Sequence, residues 1–154
     1  MAQHSAAGFH LVYDHTDLSS RPDARQTELW HGLMPFSATL GVEVLASDKE
    51  EVRARLAWAE ERCTAGGVLH GGAIMGLADS AAASCAFLNL PDGATATATI
   101  QSSTSFLRAV REGSAVAISR PIHVGRSVIV VDTDVVDEEG RLVARVTQSQ
   151  AVLR

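Results

Sequence analysis

One carboxylate and one short motif carry the chemistry this sequence could perform. Asp79 lies in the run GGAIMGLADSAAASCAFL, whose other residues are all apolar or small. On a helix its same-face neighbours would be Met75, Gly76, Ala82 and Ala83, none of which can pair with it. An ionised carboxylate in such surroundings needs a partner or a wet cleft. Either the helix exposes Asp79, or another surface supplies its hydrogen bonds. Ahead of it stand His70, Gly71 and Gly72, at the expected helix N-terminus, where backbone N–H groups are unpaired and the macrodipole is positive. Glycine lets another molecule approach the backbone closely, and such a site can stabilise a developing oxyanion. The same residues have plainer roles open to them: a tight turn for the two glycines, a capping or hydrogen-bonded ring for His70.

The spacing constrains how these groups could cooperate. His70 and Asp79 are nine residues apart, roughly 13.5 Å along a helix. A donor at the helix start and Asp79 of the same helix cannot both touch one carbonyl. Two such helices running antiparallel across a symmetric dimer could bring one chain's Asp79 beside the other chain's Gly71. An active site of this kind is therefore built from two chains, with two sites per dimer.

The elements that must hold these residues can be read from periodicity and turn residues. A short helix is expected near 21–33, started by Ser20, Pro22 and Asp23 and striped by Leu29, Trp30, Leu33 and Met34. The segments 40–47 and 51–58 read as strands joined by a hairpin turn at Ser47-Asp48-Lys49-Glu50. A glycine-rich loop leads into a helix from about Gly71 to Leu88, ended by Pro91-Asp92-Gly93. Four strands follow, at 94–108, 114–125, 127–137 and 142–153, with turns at Arg111-Glu112-Gly113, Gly125-Arg126 and Glu138-Glu139-Gly140. Connections this short make adjacent strands antiparallel. The central helix is the element able to cover one face of the sheet. The fold class is α+β: an antiparallel sheet wrapped around one long central helix, with an N-terminal helical extension. Residues 1–35 are read as that extension and 36–154 as the domain proper, the first fifteen or so as a mobile or partner-binding arm.

Composition narrows the function. The 154 residues fit one domain, and 46% hydrophobic content supplies a core. A net charge of −5 and 5% aromatic residues argue against nucleic acid as a partner. Val68 to Leu90 is long enough to cross a bilayer. Asp79 at its middle and the glycines at its start favour a buried helix of a soluble domain, with no membrane partner. Cys63 and Cys85 form no disulfide framework or metal motif, and no metal is expected. The first residues show no basic start followed by an apolar stretch, so the cytoplasm is the expected location. There is no Gly-x-Ser-x-Gly elbow and no nucleotide loop.

The stretch VLHGGAIMGLADSAAASCA resembles the signature of the hotdog-fold thioesterases, in the branch of the phenylacetic-acid-pathway and 4-hydroxybenzoyl-CoA thioesterases. The HGG, the acidic residue nine after the histidine and the Leu-Ala before it all match. SFLRAV resembles that family's aromatic-Leu-Arg-Pro-Ala strand, with Ala109 where proline is usual. VGRSVIVVDTDVVDEEGRLVA, including Gly125-Arg126-Ser127, resembles its last hairpin. The likeness runs from about Gly41 to the C-terminus.

The resemblance implies a hotdog fold and hydrolysis of an acyl-CoA thioester without metal or redox cofactor, coenzyme A being part of the substrate. Asp79 would be the catalytic carboxylate, as nucleophile or as general base on water. The N–H of Gly71 would polarise the thioester carbonyl, His70 would shape that loop, and Thr99 stands where relatives carry a water-orienting Ser or Thr. Six residues before the histidine, where the family usually has Asn or Gln, stands Thr64, with one donor and less reach. Met75 and Phe106, with Leu77, Trp30 and Leu33, are candidates for the acyl pocket, and Gly72 lies beside them. Arg126, then Arg108 and Arg111, are candidates for the CoA phosphates, with Ser127 next to Arg126. Self-association as a dimer or dimer of dimers is implied. Two rivals remain at this stage: a non-catalytic hotdog domain binding acyl-CoA or an acyl carrier, which Thr64 favours, and a hotdog dehydratase, which the spacing of His70 and Asp79 fits poorly.

Overall fold

A computed structural model describes residues 18–154; the reading of the first fifteen residues as an arm lies outside the described residues. The N-terminal helix signal resolves into two helices. Helix α1 (Ala24–Leu33) is started by Asp23, whose carboxylate accepts the N–H of Gln26 at 3.0 Å. Helix α2 (Pro35–Leu40) restarts the chain, because proline is tolerated at a first helical position. Strands β1 (Glu43–Ser47) and β2 (Val52–Ala57) form the expected hairpin. Its turn is closed by the carboxylate of Asp48 accepting from the N–H groups of Glu50 and Glu51, both at 2.8 Å. A short 3-10 turn (Glu60–Arg62) then leads to a two-residue ribbon, β3 (Cys63–Thr64) and β4 (Val68–Leu69). Helix α3 (Gly71–Leu88) follows, and after it β5 (Ala96–Phe106), β6 (Ser114–Val124), β7 (Val128–Asp137) and β8 (Leu142–Leu153).

The six long strands make one antiparallel sheet in the order β1-β2-β6-β7-β8-β5. Here the structure corrects the sequence reading. The stretch before Gly113 does not join neighbouring strands, because β5 pairs with β8 at the sheet's margin while β6 lies between β2 and β7. The connecting segment is an anchored crossover: Val110 is buried, and its carbonyl accepts the N–H of Leu69 at 2.8 Å.

α3 lies across one face of the sheet. Its length and composition would suffice to cross a membrane, but Leu77, Ala78, Ala81, Ala82, Cys85 and Ala86 are fully buried in the main core, so it is a core helix. Alanines along that face let the sheet approach closely; a larger side chain there would overpack the core. The helix ends at Asn89, whose side-chain amide donates to the carbonyls of Cys85 and Lys49 at 2.9 Å each.

The two margins of the sheet are treated differently. At β1 the N–H of Asp23 donates to the Val44 carbonyl at 2.8 Å, and the Val44 N–H donates to Thr27 Oγ1 at 2.9 Å. Leu18 packs on the opposite face of the sheet with Leu45, Val116, Ile118 and Val136. The segment from Leu18 to Thr27 thus wraps the β1 margin. β5, eleven residues long and largely exposed, has β8 on one side and no strand on the other among the described residues.

Candidate active site

The start of α3 is built as the sequence anticipates, with a defined job for each residue. His70 is the N-cap: its Nδ1 accepts the N–H of Gly72 at 2.8 Å, which leaves the ring proton on Nε2. A β-carbon on Gly72 would sit 2.9 Å from that Nδ1, so the cap depends on glycine there. The N–H of Gly71 has no partner among the described residues and remains available as a donor. The ring of Phe106 packs against Gly71. Thr64, Leu69, Gly71, Ile74, Phe106 and Arg108 line a cavity of ≈ 400 Å³ at this end. Thr64, Gly71, Phe106 and Arg108 are therefore brought together, although the sequence reading assigned Phe106 to the acyl pocket and Arg108 to the CoA phosphates.

Asp79, two turns further along α3, is exposed and also hydrogen-bonded, so both of the alternatives left open by the sequence hold. Its Oδ1 accepts from Gln148 Nε2 at 2.8 Å and from Thr99 Oγ1 at 3.3 Å. Its Oδ2 makes no hydrogen bond to the described residues. Behind it the network continues inward. Gln150 Nε2 donates to Gln148 Oε1 at 3.1 Å and to Thr99 Oγ1 at 2.9 Å, and Gln148 also reaches Ser102 Oγ at 3.2 Å. Thr99 stands where the sequence places it. Gln148, Gln150 and Ser102 are absent from that reading. A signal for them exists: alternation along β8 puts Gln148 and Gln150 on the same face as Val146 and Val152, so two amides interrupt an apolar stripe.

Within one protomer Gly71 and Asp79 are about 12 Å apart along the helix axis, as their spacing requires. Met75, between them, is exposed on the same face. Past Asp79 that face continues through Ala83 to Phe87, where Leu29, Trp30, Met34, Ala83, Phe87 and Thr97 line an apolar cavity of ≈ 460 Å³. Trp30 is buried in the core, while Leu33 is exposed at the rim and Leu77 is a core residue away from the cavity. Arg126 and Ser127 lie in the β6–β7 turn, where the Val152 N–H donates to the Ser127 carbonyl at 3.0 Å. Val152 is four residues beyond Gln148 on β8, roughly 13 Å, so one protomer does not bring Arg126 to its own Gly71. Arg111 is engaged with the Gly66 carbonyl at 2.9 Å.

Cys85 is buried and its thiol is pushed up from 9.0 to about 11, by burial first and by the negative Asp48 second. A thiol held neutral is no nucleophile. Among the described residues no three His, Cys, Asp or Glu side chains converge as a metal site would require.

Comparison with known proteins bears on this site. A family model described as the thioesterase superfamily matches residues 66–144. ComA2 of Bacillus subtilis is 34% identical over 116 residues, 75% of this chain and 91% of that protein. Among solved structures, thioesterase HI1161 from Haemophilus influenzae superposes with a TM-score of 0.76 at 26% identity, covering 83% of this chain and 90% of that one. A mutant of the phenylacetic acid degradation protein PaaI from Thermus thermophilus gives a TM-score of 0.70 at 26% identity, over 77% of this chain and 99% of the other.

Proposed function

Because the chain belongs to the thioesterase superfamily, we propose that it hydrolyses the thioester of a small or medium acyl-CoA, with Asp79 as the reacting carboxylate and Gly71 of a second copy as the carbonyl donor. The observation that carries this reading is the pairing of one exposed, anchored carboxylate with one unused N–H at a helix start. In the reaction the Gly71 N–H polarises the thioester carbonyl, and Asp79 either activates water or attacks the carbonyl carbon itself. Coenzyme A leaves as the thiol, and one water molecule, taken up either in the attack itself or in cleaving the acyl–Asp79 anhydride, supplies its proton and completes the carboxylic acid. The step needs no metal or redox group, only coenzyme A as part of the substrate.

The need for a second copy follows from the separation of the two groups, and the open margin of β5 supplies the place for it. An unpaired strand of this length is a template for another strand. Antiparallel pairing of β5 with its twin aligns the two α3 helices in opposite directions, so that Asp79 meets the partner's Gly71. In that arrangement the Arg126 turn comes to the same end of the site as the partner's Arg108, which gives the CoA phosphates two cations. The apolar cavity beside Ala83 and Phe87 then receives the acyl group. A dimer, or a dimer of such dimers, and a reducing cytoplasm, where Cys63 and Cys85 stay free, complete the proposal.

Thr64 favours a second reading, a domain that binds acyl-CoA without cleaving it, because its hydroxyl offers less than the amide usual at this place. Free thiol released from a panel of acyl-CoAs decides between them. Release that falls by several orders of magnitude in Asp79→Asn, with the oligomer intact, supports hydrolysis. Binding of acyl-CoA with no thiol release supports the second reading.

A further inference from the structure

We infer that Gln148 and Gln150 are positioning residues that lock Oδ1 of Asp79 and leave Oδ2 as the oxygen that reacts. The inference rests on the hydrolytic reading above for the word "reacts", but the lock itself stands on geometry alone.

Gln148 and Gln150 are 1% and 0% exposed, on the apolar face of β8 under α3. Burying two amides there is costly unless their donors and acceptors are used. Their donors are all used, and the one acceptor not taken by an amide, Gln150 Oε1, lies 3.2 Å from the Thr99 hydroxyl. A carboxylate accepts and cannot donate, so the group of Gln148 facing Asp79 is its NH₂. That turns Gln148 Oε1 inward, where it accepts from Gln150 Nε2 at 3.1 Å. The second N–H of Gln150 goes to Thr99 Oγ1 at 2.9 Å, and the single Thr99 proton has two acceptors in reach, Gln150 Oε1 at 3.2 Å and Asp79 Oδ1 at 3.3 Å. The second N–H of Gln148 goes to Ser102 Oγ at 3.2 Å. All four amide protons are committed, and the chain from Gln150 reaches one carboxylate oxygen through the short contact of Gln148, with the Thr99 hydroxyl shared between that oxygen and Gln150.

Donors arranged in series strengthen one another in a low-dielectric interior. The Gln148 donor on Oδ1, with the Thr99 hydroxyl beside it, and none on Oδ2 break the symmetry of the carboxylate. A half-turn only exchanges two equivalent oxygens, so what the hydrogen bonds fix is the plane of the carboxylate, with one oxygen always engaged and the other always open. Gln148 touches Asp79 and Gln150 acts through Gln148 and Thr99, so neither is a catalytic residue.

The test replaces each amide by methionine, similar in length and without a donor, in the full-length protein, with acetyl-, hexanoyl- and benzoyl-CoA as substrates. Gln148→Met is expected to lower kcat by about 10- to 100-fold, with KM changed less than about two-fold, as misplacement of a reacting group does. Gln150→Met is expected to cost about 3- to 10-fold, and the double variant less than the product of the two single losses, because the two share the route through Gln148. In an Asp79→Ala background Gln148→Met should change the residual rate no further. Additive losses, or losses that track the folded fraction, overturn the inference. Side-chain amide resonances of Gln148 and Gln150 give a readout independent of turnover. Both pairs should move when Asp79 becomes alanine, and a Gln148 pair indifferent to that change overturns the lock. If the wild-type protein releases thiol from none of the three substrates, the hydrolytic reading falls, and these resonances still decide whether the lock exists.

Discussion

Phe106 seats its ring against Gly71, so closely that a β-carbon on the glycine would lie 3.1 Å from Cζ and 3.3 Å from Cε1. The last residue of β5 is thereby packed onto the first residue of α3. Phe106 is half-exposed and its ring can tilt away, so a methyl group here disturbs the site more than the fold. Gly71→Ala is expected to lower kcat/KM by about ten-fold or more while the melting temperature moves by no more than about 3 °C. Thiol release and thermal unfolding measure the two effects. Alanine keeps the N–H and adds only a methyl group, so an unchanged rate would show that nothing approaches the backbone closely at Gly71 during the reaction.

The proposal of a site shared between two chains predicts complementation. Asp79→Ala and a Gly71 variant are each expected to be nearly inactive alone. In a mixed dimer one of the two sites has both wild-type groups and the other has neither. Random subunit exchange puts about half the chains in mixed dimers, each with half its sites intact, so about a quarter of the wild-type activity should return. A mixture that stays dead after exchange has been verified by mass spectrometry would show that the two groups do not meet across chains.

The helix bearing Asp79 was legible in the sequence because its signals are local: a cap, a run of small residues and a proline-glycine stop. The strands were legible for the same reason. What escaped was set by contacts far apart in the chain. The crossover before Gly113 looks like a turn locally, and its path is decided by Val110 anchoring on Leu69. The restart of the chain at Pro35 hid a second helix behind what read as the end of the first. At the site, the residues on α3 could be named from the sequence, and Thr99 by resemblance. The partners of Asp79 on β8 could not, since 69 positions separate Asp79 from Gln148. Their trace was two amides on an otherwise apolar strand face.

His70 separates two roles that the sequence left joined. Its Nδ1 caps α3 through the Gly72 N–H, a contact worth about 1 kcal/mol. His70→Ala should lower the melting temperature by about 2–4 °C. Asparagine is a strong N-cap, so His70→Asn should restore most of that loss. If turnover returns with it, the ring serves the loop. If stability returns without turnover, Nε2 contacts the substrate.

The two cysteines make a prediction that needs no substrate. Cys63 is half-buried, and its thiol donates to the Ala59 carbonyl at 3.3 Å. Cys85 is sealed on the buried face of α3 and held protonated by burial, with Asp48 adding repulsion against a thiolate. Iodoacetamide at pH 8 should therefore alkylate no more than Cys63 in the folded protein, and both thiols after unfolding in guanidinium. The same shift has a sign in stability. The thiol of Cys85 ionises in the unfolded chain from about 9.0 and in the fold only near 11. The unfolded state thus loses its proton first, and stability that is complete below pH 9 drains away as the pH rises toward 11, by at most about 1.4 kcal/mol per unit. Cys85→Ala leaves a small cavity, and so lowers stability at pH 8, but it should flatten the decline between pH 9 and 11. Urea unfolding at pH 8 and 10.5 on both proteins measures this, and an equal decline in the two would mean that Cys85 is not the group responsible.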